Sequence, residues 1–333
     1  FTMVVNKNKY KNLVFLCGAR DFHAMDWYKR STENLSNINI YILTDLIKGE
    51  NFKKLITEKD IVFKLIIIDN FLFKKQSRYA HYWRNFIKVL VFPFQIYLVK
   101  KFSRNYPKSI FYAHSMYYIW LAKFAGIDFV GRPQGSDLLI KPFKSRIFRF
   151  LSVLSMHSAK AIIVDSFSMY EAIKKITNSY KNVFVIPNGI NLKLIKSIKN
   201  INKKESRKYI VSIRGISEIY RIKDILVSRA LLKNKTIPIN FIYPFCDQDY
   251  KFTLNEFFIP EDNDLSRLDK KTMFDILFKT KLVISIPYSD SSPRSVFEAI
   301  FCGCIVAITY SPYYDSLPKS LRSRVILVDI NQE

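Results

Sequence analysis

Cysteine is scarce in this 333-residue chain: there are four, too few to staple a sequence of this length with disulfides. Cys302 and Cys304 form a C-x-C, Cys17 and Cys246 stand alone, and the four histidines include no H-E-x-x-H pattern. No metal site is therefore expected, and the thiols read as buried, reduced side chains of a cytosolic protein. Long hydrophobic runs are missing too. The longest, Val89 to Val99, has 11 residues with Pro93 and Gln95 inside it and a lysine at each flank. A membrane-spanning helix needs about 20 apolar residues, so this segment does not cross a bilayer. Gly135 and Gly189 belong to no G-x-G-x-x-G phosphate fingerprint. The most informative absence is of acids: from Asn70 to Ile127 there is no Asp or Glu, against ten Lys and Arg.

What is present excludes disorder, since 49% of the residues are hydrophobic and 15% aromatic. Lys and Arg number 53 against 28 Asp and Glu, a net charge of +25 that favours a polyanionic partner. More than half of that excess lies between Asn70 and Val164, where Asp128 and Asp137 face sixteen basic residues. The first part of this stretch is also aromatic, with Phe71, Tyr79, Tyr82, Trp83, Phe86, Phe94 and Tyr97 among its rings. Cations interleaved with such rings suit the interface of an anionic bilayer, so residues 70–108 are expected to meet a membrane surface. A partly buried helix pair with a solvated basic face is the competing explanation. Stacking on single-stranded nucleic acid would use similar residues, but no recognition motif accompanies them, and no nucleic-acid partner is expected.

Short apolar runs alternate with helical patterns along the whole chain. Strands are expected at 13–17, 38–43, 61–68, 109–113, 161–164 and 182–186, with helices around 21–35, 76–104, 116–125, 144–158 and 167–177. After a basic linker near 195–208 the pattern restarts. Further strands are expected at 209–213, 239–243, 282–286, 304–308 and 325–328, and helices near 222–233, 270–279 and 293–302. Alternation of this kind argues for parallel sheets covered on both faces. Two such blocks imply an α/β protein of two doubly wound domains, 1–195 and 196–333, facing across a cleft. Ligands of such sheets bind outside the carboxyl ends of the strands.

The loop and helix from Pro287 to Gly303 carry the clearest chemistry. Ser292 is a good helix cap, Pro293 suits the first helical position, Val296, Phe297, Ile300 and Phe301 make a buried stripe, and Gly303 can end the helix at positive φ. The start of this helix, residues 291–294 with Ser291, Ser292 and Arg294, is placed to hold a phosphate. Glu298 lies one and a half turns further on, where a carboxylate can accept two hydrogen bonds from a ribose diol. Asp247-Gln-Asp249 imitates a D-x-D metal motif but sits in a loop without the matching context.

Asp290, seven intervening residues, and Glu298, followed by Ala-Ile-Phe-Cys-Gly-Cys-Ile-Val-Ala, resemble the E-x7-E region of the retaining glycosyltransferases of family 4, which have the GT-B fold of two Rossmann-like domains. The resemblance implies that Glu298 binds the nucleotide ribose and that Asp290, a shorter acid than usual, reaches the donor sugar. Ile210 to Gly215 resembles the family's strand ending in a phosphate-binding arginine, here Arg214, with Arg221 or Lys223 as the second cation at a spacing that departs from the usual one. Val164 to Ser168 and Ile186 to Ile190 match the last strands of the first domain. Phe129 to Asp137 resembles a loop that often reads H-G-x-D; Gly135 and Asp137 are kept and Gln134 replaces the histidine. A glutamine can bind sugar hydroxyls but cannot take a proton, and in a retaining front-face reaction the leaving phosphate can do so instead. On the acceptor side Gly18, Arg20 and Asp21 follow the first strand. His23 and Asp26, three apart, could touch the acceptor or act as base, and His114 follows the strand at 109–113.

The resemblance thus implies a cytoplasmic glycosyltransferase, peripheral on the inner face of the cytoplasmic membrane. It would move a sugar from a nucleotide-sugar donor to a cell-surface glycan or lipid-linked acceptor, as in polysaccharide or lipopolysaccharide biosynthesis, without cofactor or metal. A CMP-nonulosonic acid transferase on the same fold, or a non-enzymatic basic module, would be the alternatives. In the family the chain continues past the strand at 325–328 with helices that return to the first domain. Here the sequence stops at Glu333, which implies a truncated second domain or closing helices supplied elsewhere.

Overall fold

The structure, a computed structural model, describes residues 9–330 apart from 34, 36–37, 48–59, 72–77, 178–181, 202–205, 233–235, 289 and 291. The chain divides into two compact units, Phe1–Ile186 and Pro187–Glu333.

The first unit is built on seven parallel strands: β1 (Asn12–Leu16), β2 (Asn39–Thr44), β3 (Ile61–Lys64), β4 (Ser109–His114), β5 (Phe129–Arg132), β6 (Ala161–Val164) and β7 (Val183–Val185). They are arranged in the order β3-β2-β1-β4-β5-β6-β7. All five residues of β1 and all six of β4 are buried, as a parallel sheet covered on both faces requires. Alternate side chains feed two cores: Val14, Leu16, Phe111 and Ala113 point to one face, and Leu13, Phe15, Ile110 and Tyr112 to the other. Helix α1 (Phe22–Thr32) covers the second face with Ala24, Met25 and Tyr28. Against the first face pack α2 (Arg78–Asn105), α3 (Met116–Ala125), α6 (Arg146–His157) and α7 (Phe167–Thr177). Two short helices, α4 (Gly135–Leu139) and α5 (Lys141–Lys144), precede α6. The apolar run at 89–99 lies within α2, 28 residues or roughly 42 Å long, with Pro93 inside it. Among the described residues no helix is long and apolar enough to cross a membrane.

The second unit has six parallel strands: β8 (Tyr209–Ser212), β9 (Asn240–Ile242), β10 (Asn263–Ser266), β11 (Thr280–Ser285), β12 (Ile305–Thr309) and β13 (Val325–Val328). Their order is β10-β9-β8-β11-β12-β13. Helices α8 (Leu192–Ile201), α9 (Ile222–Ala230), α10 (Gln248–Phe252), α11 (Lys270–Phe278), α12 (Arg294–Phe301) and α13 (Lys319–Arg322) connect and cover them. In both sheets the strand order reverses beside the first strand of the unit, between β1 and β4 and between β8 and β11.

The expected strands recur within a residue or two at most ends, with β3 ending early at Lys64. Two further strands, β5 and β10, lack a sequence signal. β5 has only four residues and contains Gly131 and Arg132, and the edge strand β10 reads Asn-Asp-Leu-Ser, so neither carries an alternating apolar signal. The basic linker expected near 195–208 is corrected in its first half. Residues 192–201 form α8, whose Ile195 and Ile198 enter the second unit's core while Lys193, Lys196 and Lys199 face solvent. The boundary expected between residues 195 and 196 thus falls inside a helix of the second unit, which begins at Pro187.

Candidate functional site

In the second unit the point of strand reversal is marked by Arg214, which follows β8. Its Nε donates to the Ser285 hydroxyl at the end of β11, 2.6 Å away. Its Nη2 forms a close ion pair with Asp290. The backbone carbonyl of Asp290 accepts from the Ser311 hydroxyl at 3.0 Å, which ties the loop to the end of β12. Two residues far apart in the sequence reading, Arg214 and Asp290, are therefore in direct contact. Tyr220 and Tyr313 flank them; burial raises the pKa of both phenols, Asp290 raises it further, and Arg214 pulls against both.

The two candidates for a second cation are separated by the geometry. Arg221 adopts a left-handed conformation (φ 56, ψ 39), pairs with Asp224, and sets its guanidinium 4.8 Å from the ring of Tyr288, two residues before Asp290. Its Nη1 is buried and makes no hydrogen bond among the described residues. Lys223 is exposed and turns away, its ammonium 5.3 Å from the Phe257 ring. A buried guanidinium nitrogen without an acceptor is costly alone and suits an incoming anionic oxygen.

The helix that follows differs from expectation at its start and on its inner face. α12 begins at Arg294 with Pro293 in the cap position, so Ser292 lies outside the helix and is not its cap. Ser291 lies outside the described residues. Val296 and Ile300 are buried, Phe297 is partly buried, and Phe301 is exposed rather than part of the stripe. Gly303 does take positive φ, at 87°. Glu298 is 0% exposed. Its Oε2 accepts from Lys270 Nζ at 2.6 Å and its Oε1 from Arg294 Nε at 3.2 Å. A buried carboxylate is tolerated when cations hold it, and each oxygen keeps a further lone pair for a ligand hydroxyl. Lys270 opens α11, and the sequence reading missed it: no local pattern links residues 28 apart.

In the first unit the corresponding reversal lies beside Gly18. A Cβ there would meet the Tyr118 hydroxyl at 2.8 Å, so a larger residue would force that side chain to shift. Asp21 and Gln134 are brought together, with Gln134 Nε2 donating to Asp21 Oδ2 at 2.7 Å. Asp137 is buried and already committed. It accepts from the amides of Met116 (3.0 Å) and Gln134 (3.1 Å) and from Lys141 Nζ (2.7 Å). Those bonds clamp the loops after β4 and β5 together. Gly135 is the first residue of α4. Arg20 reaches Asp69 at 3.4 Å, and Asp26 pairs with Arg30 one turn along α1 at 3.1 Å. The backbone of His23 lies in α1, and its side chain is outside the described residues. His114 closes β4 and is buried. Ser115 beside it holds φ 76 and ψ 158, a conformation a non-glycine residue occupies at a cost of about 1–3 kcal/mol and most often near a functional site.

Asp247 caps α10 through the amides of Asp249 and Tyr250, which accounts for that D-x-D. Among the described residues no group of three His, Cys, Asp or Glu is placed to hold a metal.

No family model and no curated protein matches the sequence. Solved structures do match. The chain resembles Anabaena Alr3699/HepE in complex with UDP at 14% identity and a TM-score of 0.67, covering 96% of this chain and 85% of that one. It resembles the sucrose-phosphate synthase of Thermosynechococcus elongatus at 10% identity and 0.64, covering 90% and 81%. An E. coli trehalose-6-phosphate structure bound with UDP-2-fluoro glucose aligns at 12% identity and 0.62, covering 95% and 88%. At such identities the likeness is one of fold, and two successive parallel α/β units of this kind are the GT-B fold.

Proposed function

We propose that the chain is a nucleotide-sugar-dependent glycosyltransferase of the retaining, family 4 type. The observation that carries the reading is Arg214, which joins Ser285 and Asp290 at the strand reversal of the second unit, with the open Nη1 of Arg221 beside the same loop. In this reading the two guanidinium groups take the donor diphosphate and stabilise the charge that grows on it as the glycosidic bond to the leaving group breaks. Glu298 accepts from the ribose diol, and Asp290 faces the sugar once the diphosphate competes for Arg214. The charge is supplied by side chains, so the reading needs no metal ion and no cofactor.

The first unit would take the acceptor, a cell-surface glycan or lipid-linked saccharide at the cytoplasmic leaflet. Gln134, steered by Asp21, would bind a sugar hydroxyl. Since it cannot accept a proton, the departing phosphate would deprotonate the acceptor. The UDP of the HepE structure favours a uridine donor over CMP-linked ones.

The test is thermal stability with UDP-, GDP- and CMP-sugars. A ligand at a hundred times its Kd adds about 2.7 kcal/mol, so a UDP-sugar is expected to raise Tm, and Arg214→Ala to remove the shift. A Tm that ignores every nucleotide would sink the proposal; a rise with CMP-sugars alone would replace the donor.

A further inference from the structure

The apolar surface left uncovered on the first unit is unusual in where it lies. α2 is apolar on its outward side as well as its inward one. Tyr82, Phe86, Val89, Leu90, Phe94 and Tyr97 are exposed, Val89 by 71%, and at about 100° per residue they share one side of the helix. Lys100, Lys101 and Arg104 continue that side toward the carboxyl end. The opposite, inward side buries Val99 and Phe102 and also carries polar groups. Gln95 is buried and accepts from the Tyr117 hydroxyl at 2.7 Å, and the Lys88 ammonium lies 3.5 Å from Asp45 and 3.9 Å from the Tyr117 ring centre.

α6 repeats the pattern. Ile147, 74% exposed, Phe150 and Leu154 follow one another along its outer side, with Arg146 and Arg149 alongside. The two helices lie in one layer over the same face of the sheet, with α3 between them. The Phe92 ring of α2 is 5.8 Å from Phe124 of α3, and Trp120 of α3 is 5.0 Å from Phe148 of α6. Phe124 is itself exposed, which carries the apolar surface from one stripe to the other. From α2 through α3, and again from α5 through α6, the sequence has no Asp or Glu, and cations border both stripes.

We propose that the outer side of α2, α3 and α6 is a docking face for an anionic lipid bilayer, with both stripes seated at the boundary between headgroups and acyl chains and the flanking Lys and Arg on lipid phosphates. Charge complementarity selects this occupant. Exposed aliphatic and aromatic side chains of this extent ask for an apolar partner. A second copy of the chain would bring one all-cationic face against another and pay like-charge repulsion. Anionic lipid supplies both the apolar depth and the opposite charge. The proposal extends the acceptor side of the glycosyltransferase reading and rests on it only for its purpose, because lipid binding requires no transfer chemistry.

The experiment is co-sedimentation of the full chain with vesicles of phosphatidylcholine alone and of phosphatidylcholine mixed equally with phosphatidylglycerol, at low and high salt. Binding to the mixed vesicles, weakened by salt, is expected. Ile147→Asp with Phe150→Asp on α6 should lower the bound fraction by roughly tenfold, and so should Phe86→Asp with Phe94→Asp on α2. All four positions are exposed, and the UDP-induced Tm shift should stay unchanged in both variants, which separates this result from a failure of the donor site. Wild-type protein that ignores phosphatidylglycerol, or an α6 variant that binds as wild type does, overturns the proposal. A dimer in sedimentation velocity that both variants abolish, without vesicle binding, overturns it in favour of self-association.

Discussion

Glu298 shows how a residue legible from its motif acquires a different weight from its surroundings. Its place in D-x7-E marks it for the ribose, yet burial between Lys270 and Arg294 also makes it the centre of an ion triad. Truncation would empty a buried site and take the carboxylate from Lys270 and Arg294; breaking a fully buried pair costs about 3–5 kcal/mol, and solvent at Lys270, 38% exposed, lowers that figure here. Glu298→Ala is therefore expected to be strongly destabilised in urea denaturation. Glu298→Gln should fold with a smaller loss but bind the nucleotide at least about tenfold more weakly by calorimetry, since a charge-assisted hydrogen bond to the diol contributes about 1.5–3 kcal/mol. Arg214 and Asp290 were each readable from sequence. Their contact, and the part played by Ser285, were not, because side-chain pairs between loops leave no periodic trace.

The cysteines give a second expectation at this scale. Burial pushes the Cys302 thiol up to about 12, helped by Cys304 and Glu298, and burial pushes Cys304 up to about 11. Unfolded thiols ionise near 8.5. Between these limits the unfolded chain sheds protons that the folded one keeps, so stability is full below the lower value and falls as pH rises toward the higher. The slope approaches about 1.4 kcal/mol per pH unit for each thiol. Urea midpoints measured from pH 8.5 upward should fall less steeply in Cys302→Ala/Cys304→Ala than in wild type, and parallel slopes would remove the thiols from the account.

Elements were legible where they were long and periodic. The strands β1, β4, β6 and β12 and the helices α2, α3 and α7 follow their apolar patterns closely. The sequence reading failed where composition masked periodicity. The lysines of α8 suggested a linker, although Ile195 and Ile198, three apart, already defined an inner face. Ile198→Ala is expected to cost about 2–4 kcal/mol, as a core truncation does and a linker substitution does not; denaturant titration decides. The start of α12 slipped by one residue because a serine followed by a proline fits a cap and first turn equally well one position earlier. Ser115, invisible as a special position in sequence, offers a test of the strained turn after β4. Ser115→Gly should raise Tm, because glycine occupies positive φ freely. A lower Tm would mean that the serine side chain contributes more than its backbone costs.

For the whole molecule, two doubly wound units were readable because parallel α/β structure writes itself as alternating apolar runs. More than half of the net charge of +25 lies between Asn70 and Val164 in the first unit, whereas Arg214 and Arg221 at the strand reversal of the second are paired with Asp290 and Asp224. Those places make separable predictions. In hydrogen exchange, a bound UDP-sugar should slow amides in the loops after β8 and β11 and leave α2 and α6 unchanged, and anionic vesicles should do the reverse. Protection by nucleotide in the first unit alone would contradict the donor assignment.

The strand order of the first sheet also has a consequence in time. β1 lies inside the sheet, third in the order, with Asn12 opposite Asn39 on one side and Ser109 on the other. The partner on that second side is thus made nearly a hundred residues later. At about 5–20 residues per second, β1 emerges from the ribosome and waits about 5–20 s with one edge open. For that interval the nascent chain exposes the open edge of an apolar strand, and the yield of folded protein should depend on how quickly the segment up to β4 is translated.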